Sequence, residues 1–444
     1  MPLDTEKRVT RIEPLPAPLR GAATVPGDKS ISHRAVLFGA MAQGTSRISG
    51  VLDSDDVRSS IGAARALGAR VEVEKQPDGS LAGAVTGWGA AGPAQPEGPI
   101  DCGNSGTTVR LLMGILAPWG LRVELTGDSS LRRRPMRRIT KPLAQMGAVF
   151  EPEGRETLPL TVAGAGELRP ITYDSPVASA QLKTAVLLAG LSARGTTTVN
   201  EPAPSRNHTE LMLPGYGVAV QAAAGTASVT GPACLHACDV VVPGDPSSAA
   251  FLACAAVLRP GSELAIENVS LNEARIGFVR VLERMGADVS TRATGATGAE
   301  PSGTILVRST SALHACEVAG DEIASMVDEI PVLALVAAHA QGVTVFHDAG
   351  ELRVKETDRF AAVIDGLALL GVRAWGEGDD LCIEGRPGRV VPAGVRFDSL
   401  GDHRLAMTWA LVGLTGEEPV EVADFEACSV SYPTFLDDIR RLAR

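Results

Sequence analysis

The chain has 444 residues, 41 Lys and Arg against 52 Asp and Glu, and a formal charge of −11 with its seven His neutral. That length leaves room for two to four domains with ample core, and the acidic balance argues against nucleic acid or an anionic membrane as the main partner. Aromatic residues are only 4% of the chain, so the core is aliphatic and a base-stacking platform is not expected.

The chain opens with Met1-Pro-Leu-Asp-Thr-Glu-Lys-Arg, which has no apolar h-region, so no secretory signal is expected. No apolar run nears the ~20 residues of a membrane helix. The seven Cys are an odd number scattered through the chain, which points to reduced thiols in a cytoplasmic protein. Cys234-Leu-His-Ala-Cys238 mimics half of a metal site but has no second pair spaced to match, so no metal is assigned to it. Only six of the 41 cations are lysines: Lys7, Lys29, Lys75, Lys141, Lys183 and Lys355.

One pattern recurs along the whole chain. An apolar helix-like run ending in Gly, followed by a short β-branched strand, appears at Ala35 to Gly44, Val109 to Gly120, Leu182 to Gly195, Ala249 to Gly261, Ile330 to Gly342 and Leu405 to Gly416. The closing glycines are 66 to 81 residues apart, so six units fill the chain. A second helix recurs in each unit and ends in Gly before a strand, as in Leu67-Gly68, Met146-Gly147, Tyr216-Gly217, Met285-Gly286 and Leu370-Gly371; Gly just past the last periodic hydrophobe is a helix C-cap signal. Each unit therefore reads as strand, helix, strand, helix, strand. The sixth stops near Tyr432–Arg444 without its last strand, which Lys7–Leu19 is placed to supply. The Gly-, Thr- and Pro-rich stretches 76–99 and 291–303 read as exposed turns with no chemistry.

A polar cluster precedes each first helix: Asp28-Lys29-Ser30-Ile-Ser32-His33-Arg34, Asn104-Ser-Gly106-Thr-Thr108-Val-Arg110, Ser179-Ala-Gln181, Asp245-Pro-Ser-Ser248, Asp328-Glu329 and Asp402-His-Arg404. Helix N-termini carry unpaired N–H groups and partial positive charge, which suit anions and hydroxyl caps. Plain capping accounts for Asp245-Pro-Ser-Ser; it does not require Lys29 with Arg34, or Arg404 after Asp402. Further cations stand at Leu131-Arg132-Arg133-Arg134-Pro135, Ser205-Arg206-Asn-His208 and Arg353-Val-Lys355-Glu356-Thr-Asp358-Arg359. A short cationic run inside an acidic chain points to a small anion, and neighbouring Lys355 and Glu356 are proton-transfer groups if desolvated. Gly27-Asp-Lys29-Ser30 is not a Walker A loop, because Asp28 separates Gly from Lys. No Gly-x-Gly-x-x-Gly opens a helix, so no nicotinamide or flavin site is expected.

In this order the clusters resemble the enolpyruvyl transferases, in particular their branch that acts on shikimate 3-phosphate. The matching stretches are Pro26 to Arg34, Gly103 to Arg110, Arg134-Pro-Met136, Ser179-Ala-Gln181, Val354 to Arg359 and Asp402-His-Arg404. The resemblance implies an α/β fold: a two-domain inside-out α/β barrel with three βαβαβ repeat units per domain, six in all. It places the domains at 27–244 and at 1–26 plus 245–444, with hinge crossings near 26–27 and 244–245 and domain closure over substrate. It further implies transfer of the enolpyruvyl group of phosphoenolpyruvate to the 5-hydroxyl of shikimate 3-phosphate, with release of phosphate and no metal or other cofactor.

The site residues implied by the resemblance follow by motif. Lys29, Ser30, Arg34, Ser179, Gln181 and Arg206, with Asp328 and Lys355, would hold shikimate 3-phosphate. Lys29, Asn104, Gly106, Arg134, Gln181, Arg359 and Arg404 would hold phosphoenolpyruvate; Arg132 and Arg133 compete with Arg134, which the following Pro favours. Asp328 would take the hydroxyl proton, and Lys355 and Glu356 would handle the others. Arg suits these anions because its planar fork pairs with phosphate and carboxylate. The sister branch acting on UDP-N-acetylglucosamine carries Lys-Asn at the first helix start and a reactive Cys in the second-unit loop; here stand Lys29-Ser30, and Gly127 to Arg138 has no Cys. Small-molecule substrates, no nucleic acid, no membrane and a cytoplasmic monomer complete the expectation.

Overall fold

A computed structural model describes residues 7–297, 300–310, 312–388 and 392–444. Its six most buried helices are α1 (Lys29–Met41), α2 (Gly106–Leu116), α3 (Ala180–Gly190), α4 (Pro246–Leu258), α5 (Ile330–Ala338) and α6 (His403–Thr415). They are apolar nearly all round, as helices enclosed on every side must be: in α5 every residue from Ile330 to Ala338 is buried. The chain divides into two compact units, one of Pro26–Pro243 with Ala296–Glu300, the other of Met1–Val25, Gly244–Gly295 and Pro301–Arg444.

The first unit holds α1, α2 and α3, with α2 packed against both others. Helices α2 and α3 approach so closely that a Cβ on Gly114 would lie 2.2 Å from the Ala185 carbonyl oxygen. Three four-stranded sheets surround them. In the second repeat, Ile100–Asp101 pairs parallel with Arg122–Thr126, which pairs antiparallel with Leu160–Ala163, itself antiparallel to Val149–Glu151. The other unit packs α4, α5 and α6 on one another and gathers an aliphatic core around them, with Phe251, Leu333 and Trp409 buried in it.

The chain exchanges strands where it passes from one unit to the other. Arg20–Thr24 precedes α1 in sequence but pairs parallel with Glu263–Ser270, the strand that follows α4. Val240–Val241 precedes α4 but pairs with Thr45–Val51, the strand after α1. A Cβ on Gly27 would lie 1.9 Å from the Gly50 carbonyl oxygen, so only glycine fits at that passage. The sixth repeat takes its missing strand from the chain start: Val9–Ile12 runs antiparallel to Val420–Ala423.

The five second-helix glycines, Gly68, Gly147, Gly217, Gly286 and Gly371, all have φ between +65° and +111°, the left-handed geometry of a helix C-cap. Two expectations need correction. Repeats carry an added strand, because turns such as Pro77-Asp78-Gly79 fold the end of the repeat into a hairpin: Arg70–Lys75 pairs with Leu81–Thr86. For the same reason 76–99 is not simply an exposed turn, and neither are the described residues of 291–303; residues 298 and 299 lie outside those described. Asp288–Thr297 and Glu300–Arg308 are strands, β-branched Thr and Val carry the first hairpin's pairing, and Glu300 is buried.

Candidate active site

In the first unit the starts of α1, α2 and α3 are joined by side-chain hydrogen bonds. Asp28 caps α1, its Oδ1 accepting the Ile31 N–H at 2.8 Å. Lys29 follows at the first helical turn, its Nζ 3.3 Å from Asp56 Oδ2. Arg34, one turn further, is buried; its Nε donates to Thr209 Oγ1 and its Nη2 to Thr184 Oγ1, each at 2.8 Å, and its Nη1 to the Ser30 carbonyl at 3.0 Å. Burial lowers the Arg34 pKa to about 10, against the pull of Glu210, Asp28 and Glu300 and with the push of Arg206, so the guanidinium keeps its charge at neutral pH.

At α2, Ser105 is the N-cap and its Oγ accepts the Thr108 N–H at 3.1 Å. Asn104 Nδ2 donates to Asp128 Oδ2 at 2.6 Å, while its Oδ1 accepts from Arg134 Nη2 at 2.8 Å. Of the three successive arginines, Arg132 and Arg133 are exposed and Arg134 is half-buried against Asn104. A Cβ on Gly106 would lie 2.8 Å from Arg110 Nη1 and 3.4 Å from Arg134 Nη1, so glycine keeps both guanidiniums close to the helix start. At α3, Ser179 is the N-cap; Gln181 accepts from Arg110 Nη1 at 2.7 Å and donates to Thr107 Oγ1 at 3.0 Å. Arg206 is half-buried in the turn before His208.

The other unit converges on Arg359, which is 1% exposed. Its Nε donates to Asp402 Oδ2 at 2.7 Å, its Nη1 to Asp328 Oδ1 at 3.0 Å and its Nη2 to Glu356 Oε2 at 2.6 Å. Burial works against its charge, but Asp402, Glu356 and Asp328 outweigh burial and raise its pKa. Burial likewise pushes the Asp402 carboxyl up, and Arg359 more than reverses it, leaving it below the ordinary value. Asp402 also caps α6, accepting the Arg404 N–H at 2.8 Å. Arg404 reaches the Asp328 carbonyl and Glu329 Oε1, each at 3.2 Å. Lys355 Nζ lies 2.5 Å from Glu351 Oε1 and 3.7 Å from Asp328 Oδ1.

A family model described as EPSP synthase (3-phosphoshikimate 1-carboxyvinyltransferase) matches residues 15–439. The chain belongs to the EPSP synthase family. The 3-phosphoshikimate 1-carboxyvinyltransferase of Shouchella clausii is 46% identical over 96% of each chain, and that of Methylobacterium sp. is 47% identical over 96% of this chain and 95% of its own. An EPSP synthase structure from Acinetobacter baumannii superposes with a TM-score of 0.86 at 38% identity over 98% of both chains. The enolpyruvyl transferase NikO from Streptomyces tendae has the same fold, with a TM-score of 0.74 at 21% identity. The fold is thus the two-domain inside-out α/β arrangement of EPSP synthases.

The motifs located the cations and left out their supports. Asp128 orients Asn104, and Thr184 with Thr209 holds Arg34. The Asp245-Pro-Ser-Ser cap does more than cap. Asp245 accepts the Ser247 N–H at 2.8 Å and Arg275 Nη2 at 2.9 Å, and Ser247 Oγ donates to buried Glu329, the partner of Arg404. Only adjacency at the helix starts hinted at these partners. Arg275 and Asp128 gave no signal.

Proposed function

We propose that the chain transfers the enolpyruvyl group of phosphoenolpyruvate to the 5-hydroxyl of shikimate 3-phosphate and releases phosphate, by addition to a tetrahedral ketal and elimination from it. The observation that carries the reading is the Arg359 cluster, where a buried guanidinium is shared by Asp328, Glu356 and Asp402, and Lys355 Nζ stands 3.7 Å from Asp328. The reaction needs that combination: cations for two multiply charged anions, and separate groups to deprotonate a hydroxyl and protonate a vinyl carbon.

Asp328 takes the 5-hydroxyl proton, and Lys355 and Glu356 serve the methylene carbon and the bridging oxygen. Shikimate 3-phosphate is assigned to Lys29, Ser30, Arg34, Ser179, Gln181 and Arg206, together with Asp328 and Lys355. Phosphoenolpyruvate is assigned to Lys29, Asn104, Gly106, Arg134 and Gln181, and to Arg359 and Arg404. The division of the chain at 27–244 and 1–26 plus 245–444, and a monomer working in the cytoplasm, belong to the same reading; its seven unpaired cysteines suit a reducing compartment.

Phosphate release tests the reading. It is expected when phosphoenolpyruvate and shikimate 3-phosphate are both supplied, and absent with either alone or with UDP-N-acetylglucosamine as acceptor. Tight binding of both substrates with no phosphate released would reject the enzyme. Light scattering on a sizing column should give about 46 kDa.

A further inference from the structure

Among the described residues Lys183 is the one buried lysine, and the motif reading gives it no task. It lies one helical turn inside α3, its backbone N–H donating to the Ser179 carbonyl at 2.9 Å. Its Nζ is 2.8 Å from Glu201 Oε2 and 2.7 Å from Glu210 Oε1, and all three side chains are almost wholly buried. Glu201 in turn accepts the Ser179 N–H at 2.7 Å and the Ser205 hydroxyl at 2.9 Å. One carboxylate therefore ties together the N-cap of α3 and the turn that carries Arg206. Glu210 is the other half: it is the largest of the charges that favour the cationic form of Arg34, while Arg206 opposes it.

We infer that Lys183 is a positioning residue for shikimate 3-phosphate: by pairing with Glu201 and Glu210 it fixes Ser179 and Ser205 and keeps both carboxylates from competing with the substrate phosphate for Arg34 and Arg206. The charge balance carries the argument. Lys183, Glu201 and Glu210 together hold one net negative charge, Glu210 acting on Arg34 and Glu201 bonded to Ser205, the residue before Arg206. Without Lys183 they would hold two, buried where water screens them little. A carboxylate that has lost its cation turns to the nearest guanidinium, and each arginine so engaged is lost to a phosphate dianion. The inference rests on the shikimate 3-phosphate assignment made above.

The test compares wild type, Lys183→Met and Lys183→Met/Glu210→Gln. The double variant restores the single net negative charge, and so remains measurable if the single variant does not fold. Calorimetry with shikimate 3-phosphate alone is expected to give a dissociation constant raised about tenfold or more in Lys183→Met, the scale of an unpaired buried charge, and returned to within about threefold of wild type in the double variant. At saturating shikimate 3-phosphate, kcat and the KM for phosphoenolpyruvate should stay near wild type. A lower unfolding temperature with unchanged affinity in Lys183→Met would overturn the inference, as would a folded double variant that stays weak. Wild type that fails to bind shikimate 3-phosphate at all would instead overturn the assignment beneath it.

Discussion

Three carboxylates surround the Arg359 guanidinium, more than its single charge requires. Asp402 belongs to the helix cap and is fully buried. Glu356 is more exposed, about a third of its side chain reaching solvent, and in the proposed reaction it is the carboxylate assigned to proton transfer. Glu356→Gln keeps the shape and an acceptor toward Arg359 but cannot cycle a proton. Steady-state kinetics should show kcat lower by roughly 10²–10⁴ with the KM for shikimate 3-phosphate little changed; near-normal turnover would remove Glu356 from the proton path. His33 sits in the first motif but has a different part. It is fully buried, its Nδ1 2.8 Å from Ser60 Oγ, and burial lowers its pKa from 6.5 to about 3. Between those values the unfolded chain binds a proton that the folded chain refuses, so stability falls as pH drops below 6.5, by up to about 1.4 kcal/mol per pH unit. His33→Asn should flatten that part of the pH dependence in urea unfolding measured from pH 7 to 5. Parallel curves for the two proteins would mean that His33 is protonated in the fold. The cations were legible in the sequence because they stand at or near helix starts, which leave a local pattern. Their partners were not, since Asp402 lies 43 residues from Arg359 and only the fold brings such pairs together.

Helix packing places those cations. The starts of α2 and α3 exchange the Arg110–Gln181 hydrogen bond because the two helices touch backbone to backbone at Gly114 and Ala185. A methyl group there meets main-chain atoms at 2.2 to 2.8 Å, which cannot swing away as a side chain could. Gly114→Ala should therefore cost about 1–3 kcal/mol or more, and by prising the helices apart should also raise the KM for both substrates. Gly62, within the helix Asp55–Ala66, is the control: a Cβ added there meets nothing within 4 Å. Gly62→Ala should leave kinetics alone and stabilise by about 0.5–1 kcal/mol in denaturant unfolding. Equal effects at both sites would mean that the close approach is not what sets the geometry. The helices and their glycine caps were readable because their period and their stop signals are local. The second hairpin strands were harder to see, because stretches such as Leu81-Ala-Gly-Ala-Val-Thr86 carry the small residues of a loop. What makes them strands is pairing with Arg70–Lys75 and Thr45–Val51 across the sheet, together with the burial of Leu81 and Val85.

At the scale of the whole chain, the ends are structural parts of the unit that α4, α5 and α6 build. Val9–Ile12 is the edge partner of Val420–Ala423, Lys7 reaches Asp398 at 2.6 Å, and Leu15 donates its backbone N–H to Leu414 at 3.0 Å. Arg20–Thr24 then enters the sheet of Glu263–Ser270 before the chain leaves for the other unit. This unit is therefore discontinuous, and its last repeat cannot complete its sheet until the first residues return to it. Long-range closure of that kind delays folding because the loop entropy must be met before the pairing forms. Ile12 is the sharpest probe, since it is fully buried beside α6 and its carbonyl lies against Gly413. Ile12→Ala should cost about 2–5 kcal/mol, and the cost should fall on one unit. Hydrogen exchange followed by segment is expected to quicken across 245–444 and to leave 30–240 at wild-type rates. Equal acceleration in both segments would mean that the two units unfold as one, and that the returning N-terminal strand stabilises the whole chain rather than its own unit.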